Sequence, residues 1–72
     1  MALPDEHVIT DQDVLLAMIK EGGSFVRSLG EAGIAADAEN LKRIKRTWPE
    51  YWREYMGVAW MRKKRRTDKA EI

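Results

Sequence analysis

Every tryptophan and tyrosine of the chain falls in one run, Trp48-Pro49-Glu50-Tyr51-Trp52-Arg53-Glu54-Tyr55-Met56-Gly57-Val58-Ala59-Trp60. Large aromatic side chains dominate the energy of a small core, so this run is expected to form the element on which the other segments gather. Pro49 suits a first helical turn, where its missing N–H is no loss and its fixed φ fits, with Thr47 or Trp48 as the cap. At 100° per residue, Trp48, Tyr51, Trp52, Tyr55, Met56, Val58, Ala59 and Trp60 spread over a broad arc, and Glu50, Arg53, Glu54 and Gly57 lie opposite. That pattern predicts a core-facing helix with Trp52 in the core. After Met61 the same arc continues through Arg62, Lys63 and Arg66, which cannot be buried unpaired. The helix is therefore expected to outrun the core and to project a cationic end.

At 72 residues there is room for one small domain, whose high surface-to-volume ratio leaves a marginal core. With no cysteine and no Cys/His cluster, stability has to come from helix packing or from self-association. The apolar runs are too short to span a bilayer, and Asp5-Glu6 stands where a signal peptide needs basic residues. The chain reads as a soluble protein without a targeting segment, and its lack of cysteine is compatible with the cytoplasm.

Ahead of the aromatic run the punctuation is regular. Residues 1–9 offer no period and read as a flexible leader. Thr10-Asp11-Gln12-Asp13 resembles a capping box, which predicts a helix over residues 11–21 with Val14, Leu15, Met18 and Ile19 on its apolar side and Gly22-Gly23 at its end. Ser24 is expected to cap a second helix, residues 25–36, with Phe25, Val26, Leu29, Ala32, Ile34 and Ala36 available for burial. Gly30 and Gly33 each cost about 1 kcal/mol relative to Ala inside a helix, and close approach of another helix is the reason expected for them. Asp37 is expected to cap a third helix, residues 38–47, with Leu41, Ile44 and Trp48 inward and Lys42, Arg43, Lys45 and Arg46 outward. The fold class predicted is all-α, a compact bundle of three to four short helices with a longer C-terminal amphipathic helix ending in a basic extension. Residues 10–66 form the single domain, and residues 67–72 are expected to be a disordered tail.

The small net charge hides a division. Residues 1–40 hold two cations against eight carboxylates, net −6, and residues 41–72 hold eleven against four, net +7. Such asymmetry implies a basic working surface, or two halves that attract each other within or between chains. Self-association, most simply a dimer, is expected on that ground and because the aromatic arc is wide for three short helices to cover.

Nothing in the chain has the makings of a catalytic site. The one histidine, His7, lies in the leader, and Asp5-Glu6-His7 lacks the further ligands that a metal centre needs. Gly22-Gly23 lacks the pattern and lysine of a phosphate-binding loop. No cofactor is expected. The Gly33-Ile34-Ala35 step ahead of a basic helix resembles a helix-turn-helix. Glu39, however, would fall where that motif buries an apolar residue, and Leu29 where it wants a small one. An interfacial membrane helix would share the tryptophans and the cationic flank, but here the aromatics are needed for the core.

One resemblance adds to this reading. Gly23-Ser24-Phe25-Val26, Leu29, Ala32, Ala36-Asp37, Glu39-Asn40, Ile44, Trp48-Pro49-Glu50-Tyr51-Trp52 and Tyr55 resemble a family of short phage- and prophage-encoded helical proteins of unassigned function. The similarity covers about residues 22–56 and leaves the basic end outside. It implies a bacterial cytoplasmic setting and an accessory role.

Two functions are therefore expected from the sequence. The first is a small non-enzymatic accessory protein that binds a protein partner through its C-terminal aromatic and basic helix, Trp60, Met61, Arg62, Lys63, Lys64, Arg65 and Arg66. The alternative is a DNA- or RNA-binding regulatory protein that sets Lys42, Arg43, Lys45 and Arg46, together with the basic end, on phosphates.

Overall fold

Thr10 opens the first helix through the reciprocal hydrogen bonds that its sequence predicts. The backbone N–H of Asp13 donates to Thr10 Oγ1 at 3.1 Å, and the backbone N–H of Thr10 donates to Asp13 Oδ2 at 3.0 Å. Helix α1, Asp11–Glu21, follows, and the N–H of Gly22 donates to the Met18 carbonyl at its end. These features come from a computed structural model, which describes the backbone of residues 8–70 and the side chains of residues 8–65.

Helix α2 is Ser24–Ala35. Gly23, not Ser24, occupies the cap, with no side-chain hydrogen bond, and Ser24 enters the first turn. Gly23 is extended, and its carbonyl accepts from the N–H of Arg27 at 2.8 Å, so the backbone starts the helix without a hydroxyl. Helix α3, Ala38–Thr47, is capped by Asp37, whose Oδ1 accepts from the N–H of Asn40 at 2.8 Å. Trp48 then closes one helix and opens the next. Its N–H donates to the Ile44 carbonyl, and its own carbonyl accepts from the N–H of Trp52. Helix α4 is Pro49–Ala70, so the helical backbone continues through four of the residues expected to form a disordered tail. The remainder of that tail and residues 1–7 of the leader lie outside the described residues. The architecture is all-α, as the capping and periodicity predict, with no strand among the described residues.

The centre of the bundle is α1, which packs against both α2 and α4. Val14, Leu15, Ala17 and Met18 of α1 are buried with Val26 and Leu29 of α2 and with Tyr55 and Ala59 of α4. Each of the larger of these side chains contributes about 1.5–3 kcal/mol by leaving water. The aromatic run is therefore a flank and not the hub that the sequence predicts. Tyr55 and Ala59, one helical turn apart, face α1, whereas Trp52 stays half-buried. The Lys45 ammonium lies 5.2 Å from the centroid of the Trp52 ring, which packs against the edge of the core beside α3.

The glycines do what their cost implies. A Cβ on Gly30 would sit 2.9 Å from the Leu15 carbonyl oxygen and 3.0 Å from Met18 Cβ, and one on Gly33 would enter the Leu15 side chain. Both positions are buried, so α2 lies directly against the backbone of α1. By contrast α3 buries none of its residues fully and rests on the core through Leu41 and Ile44.

Candidate interaction surface

The surface of this protein is sorted by which cations find carboxylates inside the chain. Arg62 Nη1 lies 3.2 Å from Glu21 Oε2, and Lys63 Nζ lies 3.1 Å from Asp13 Oδ2. Lys63 also donates to the Val8 carbonyl at 2.7 Å. Asp13 and Glu21 stand in the first and last turns of α1, so the adjacent side chains of Arg62 and Lys63 clasp that helix near its two ends. Lys45 Nζ makes a third such pair, 3.1 Å from Asp11 Oδ1. This is the physical content of the charge division: the basic half is partly neutralised by the acidic half within one chain. The expectation that the whole cationic end projects from the core is corrected at Arg62 and Lys63. Both are half-buried, with their charges paired to carboxylates of α1.

Asp13 is the most strongly placed of these carboxylates. The backbone N–H of Thr10 holds its carboxyl below the usual aspartate range, with further lowering from Lys63, while partial burial pushes the other way. Tyr55 moves in the opposite direction, because burial pushes its phenol up, assisted by the charges of Glu54 and Glu21.

The remaining predicted site residues fall into two places. On α4, Met61 is 53% exposed, the Lys64 ammonium stands 5.2 Å from the centroid of the half-buried Trp60 ring, and Arg65 is exposed. The Arg66 side chain lies outside the described residues. On α3 the four basic residues divide. Lys45 turns inward to Asp11 and Trp52, whereas Lys42, Arg43 and Arg46 are exposed and form no ion pair with the described residues.

Beside Arg43 lies a feature that the sequence did not single out. An open groove of about 510 Å³ runs between α2 and α3, with Ala32, Ala35 and Ala36 as its floor, Ile44 and Trp48 as its wall, and Asn40, Arg43 and Thr47 at its rim. Phe25 stands against that wall. Its ring meets Trp48 edge-on, with centroids 5.8 Å apart and planes at 69°, and lies 6.0 Å from Tyr51. Phe25 nevertheless remains 55% exposed. The signal was present in the α2 wheel: Val26, Leu29, Gly30 and Gly33 share the arc toward α1, and Phe25, Ala32, Ala35 and Ala36 fall on the neighbouring arc.

Among the described residues no group of three or more His, Cys, Asp or Glu is placed to hold a metal ion. Asp5, Glu6 and His7 lie outside those residues. No described helix is long and apolar enough to cross a membrane. The chain matches no protein-family profile, no curated protein and no solved structure.

Proposed function

We propose that this is a small non-enzymatic accessory protein that binds another protein, and that the contact is made at the α2/α3 groove and the aromatic cluster beside it. Phe25 carries the proposal: a large apolar side chain that is more than half exposed, yet fixed by ring contacts to Trp48 and Tyr51. An aromatic already held in place loses little further freedom when a partner covers it, which is why such anchors dominate protein interfaces. Met61 and Lys64 on α4 form a second, smaller face of the same kind, the part of the C-terminal surface that the ion pairs with α1 leave outside. From the resemblance to short phage proteins we further propose a bacterial cytoplasmic setting for this activity.

A photo-crosslinking residue at position 32 in the groove, compared with one at the exposed position 20 on α1, tests the reading in cells. A single protein adduct from position 32 that survives nuclease is the expected result. Equal labelling from both positions would remove the groove from consideration.

A second reading is favoured by one observation, the outward Lys42, Arg43 and Arg46 without internal partners. On duplex DNA three such contacts would give a slope of about −2.7 in log affinity against log salt. Glu39 stands among them on the same face and weakens this reading. Nucleic-acid binding with that slope, lost when the three residues are neutralised, would put it first.

A further inference from the structure

We infer that the α2/α3 groove receives an acidic amphipathic helix of the partner, with apolar side chains on the alanine floor and a carboxylate over Arg43 at the rim. The inference rests on the protein-binding reading above and specifies the chemistry of the occupant. Shape comes first. The described backbone is helical almost throughout, so an extended peptide would find no sheet edge on which to make main-chain hydrogen bonds. A helix needs none from its host, and low floors of small residues are where helices approach closely. Ala32, Ala35 and Ala36 supply such a floor beneath Ile44 and Trp48.

Charge then selects among helices. Lys45, Arg62 and Lys63 each meet a carboxylate of their own chain within 3.2 Å, so the basic residues that face inward are matched. Lys42, Arg43 and Arg46 are not matched by any described residue. Glu39 is the one carboxylate on their face of α3, and neither it nor the capping Asp37 is among the residues that line the groove. Arg43 is the one charged residue among those that line the groove, so its rim is positive at that point. A partner helix with carboxylates beside its apolar stripe neutralises this rim, and one with lysines is repelled by it. A phosphate backbone would meet the same cations but would leave the apolar floor and the Trp48 wall unused.

Two labelled synthetic helical peptides with the same leucine stripe, one flanked by glutamates and the other by lysines, provide the test by fluorescence anisotropy. The glutamate peptide is expected to bind about fivefold more tightly, the order given by exchanging one exposed attraction for a repulsion, and to lose most of that advantage near 0.5 M salt. Ala32→Trp fills the groove at an exposed position and should abolish binding of either peptide. Arg43→Glu should remove the preference, with thermal melting as the check that both variants fold. Equal binding of the two peptides that is lost in Ala32→Trp would retain protein docking and overturn the acidic occupant. Binding of neither, or binding indifferent to Ala32→Trp, would overturn the groove as a site. A dimer in sedimentation equilibrium that Ala32→Trp dissociates would give the groove to a second copy of this chain, and displacement of the peptide by duplex DNA would give the rim to phosphates. Either result overturns the proposal.

Discussion

Lys63 donates at 3.1 Å to Oδ2 of Asp13, the same carboxylate oxygen that accepts the backbone N–H of Thr10. One atom thus joins the cap of α1 to the basic end of α4. Removing it undoes a capping box and an ion pair together. Asp13→Ala is expected to cost about 1–2 kcal/mol, and Lys63→Met less. In a double-mutant cycle by urea unfolding, the two should couple by about 0.5–1 kcal/mol. Additive losses would mean that the α1 cap and the α4 contact are independent.

The same carboxylate sets a pH dependence. The Thr10 N–H and Lys63 hold the folded-state value below that of an ordinary aspartate, so the unfolded chain takes up the proton first as the pH falls. The stabilisation from Asp13 is therefore complete above the ordinary value of about 3.9 and is lost as the pH drops through the lower folded value. The melting-temperature gap between the wild type and Asp13→Asn should stay level from about pH 7 to 5 and close below about pH 4. A gap that persists into strong acid would mean that the carboxylate charge contributes nothing.

The helices and the side-chain caps of the first and third were legible in the sequence because they depend on neighbours in the chain, whereas the cap of the second fell on Gly23 and not Ser24. Thr10 and Asp37 cap as read, and the end of α1 falls at Gly22 as read. What was not legible is which residue sits in the middle. Helical periodicity marks an apolar arc but not which part of it another helix will cover, so Trp52 was expected at the centre that Tyr55 and Ala59 occupy. The basic end misled for a related reason: Lys63 and Asp13 lie fifty positions apart in the chain, and only the packing of α4 on α1 brings them together.

Gly30 and Gly57 offer a comparison of opposite sign. Both lie in helix interiors with ordinary backbone angles, but a Cβ at Gly57 meets nothing within 4 Å, whereas one at Gly30 meets the Leu15 carbonyl at 2.9 Å. Gly57→Ala should stabilise by about 0.5–1 kcal/mol, raising the melting temperature by about 4 °C. Gly30→Ala should lose that gain and a further 1–3 kcal/mol as α2 is forced off α1. Differential scanning calorimetry reads both. Stabilisation by Gly30→Ala would mean that the two helices can separate freely.

Burial ranks the aromatic substitutions. Tyr55 is 9% exposed and packs with the α1 core, while Trp52 is half-buried beside α3. Tyr55→Ala should cost about 3–5 kcal/mol, comparable with the stability of so small a domain, and leave the chain largely unfolded at room temperature. Trp52→Ala should be milder, with loss of the Lys45 contact and part of the packing, and should still melt cooperatively. The reverse ranking in far-UV circular dichroism melts would restore Trp52 to the centre.

The basic end of α4 should divide under mutation just where its ion pairs divide. Arg62 and Lys63 are held by Glu21 and Asp13, with side chains 28% and 23% exposed, whereas Lys64 and Arg65 are exposed. Partly buried pairs of this kind exceed surface pairs in value, and each loss also leaves a carboxylate on α1 without its partner. Arg62→Gln with Lys63→Gln is therefore expected to lower the melting temperature by several degrees, more at low salt than at high. Lys64→Gln with Arg65→Gln should leave it within about a degree. If the two double variants melt alike, the clasp around α1 contributes no stability, and the opposed charges of the two halves must serve contacts outside the chain.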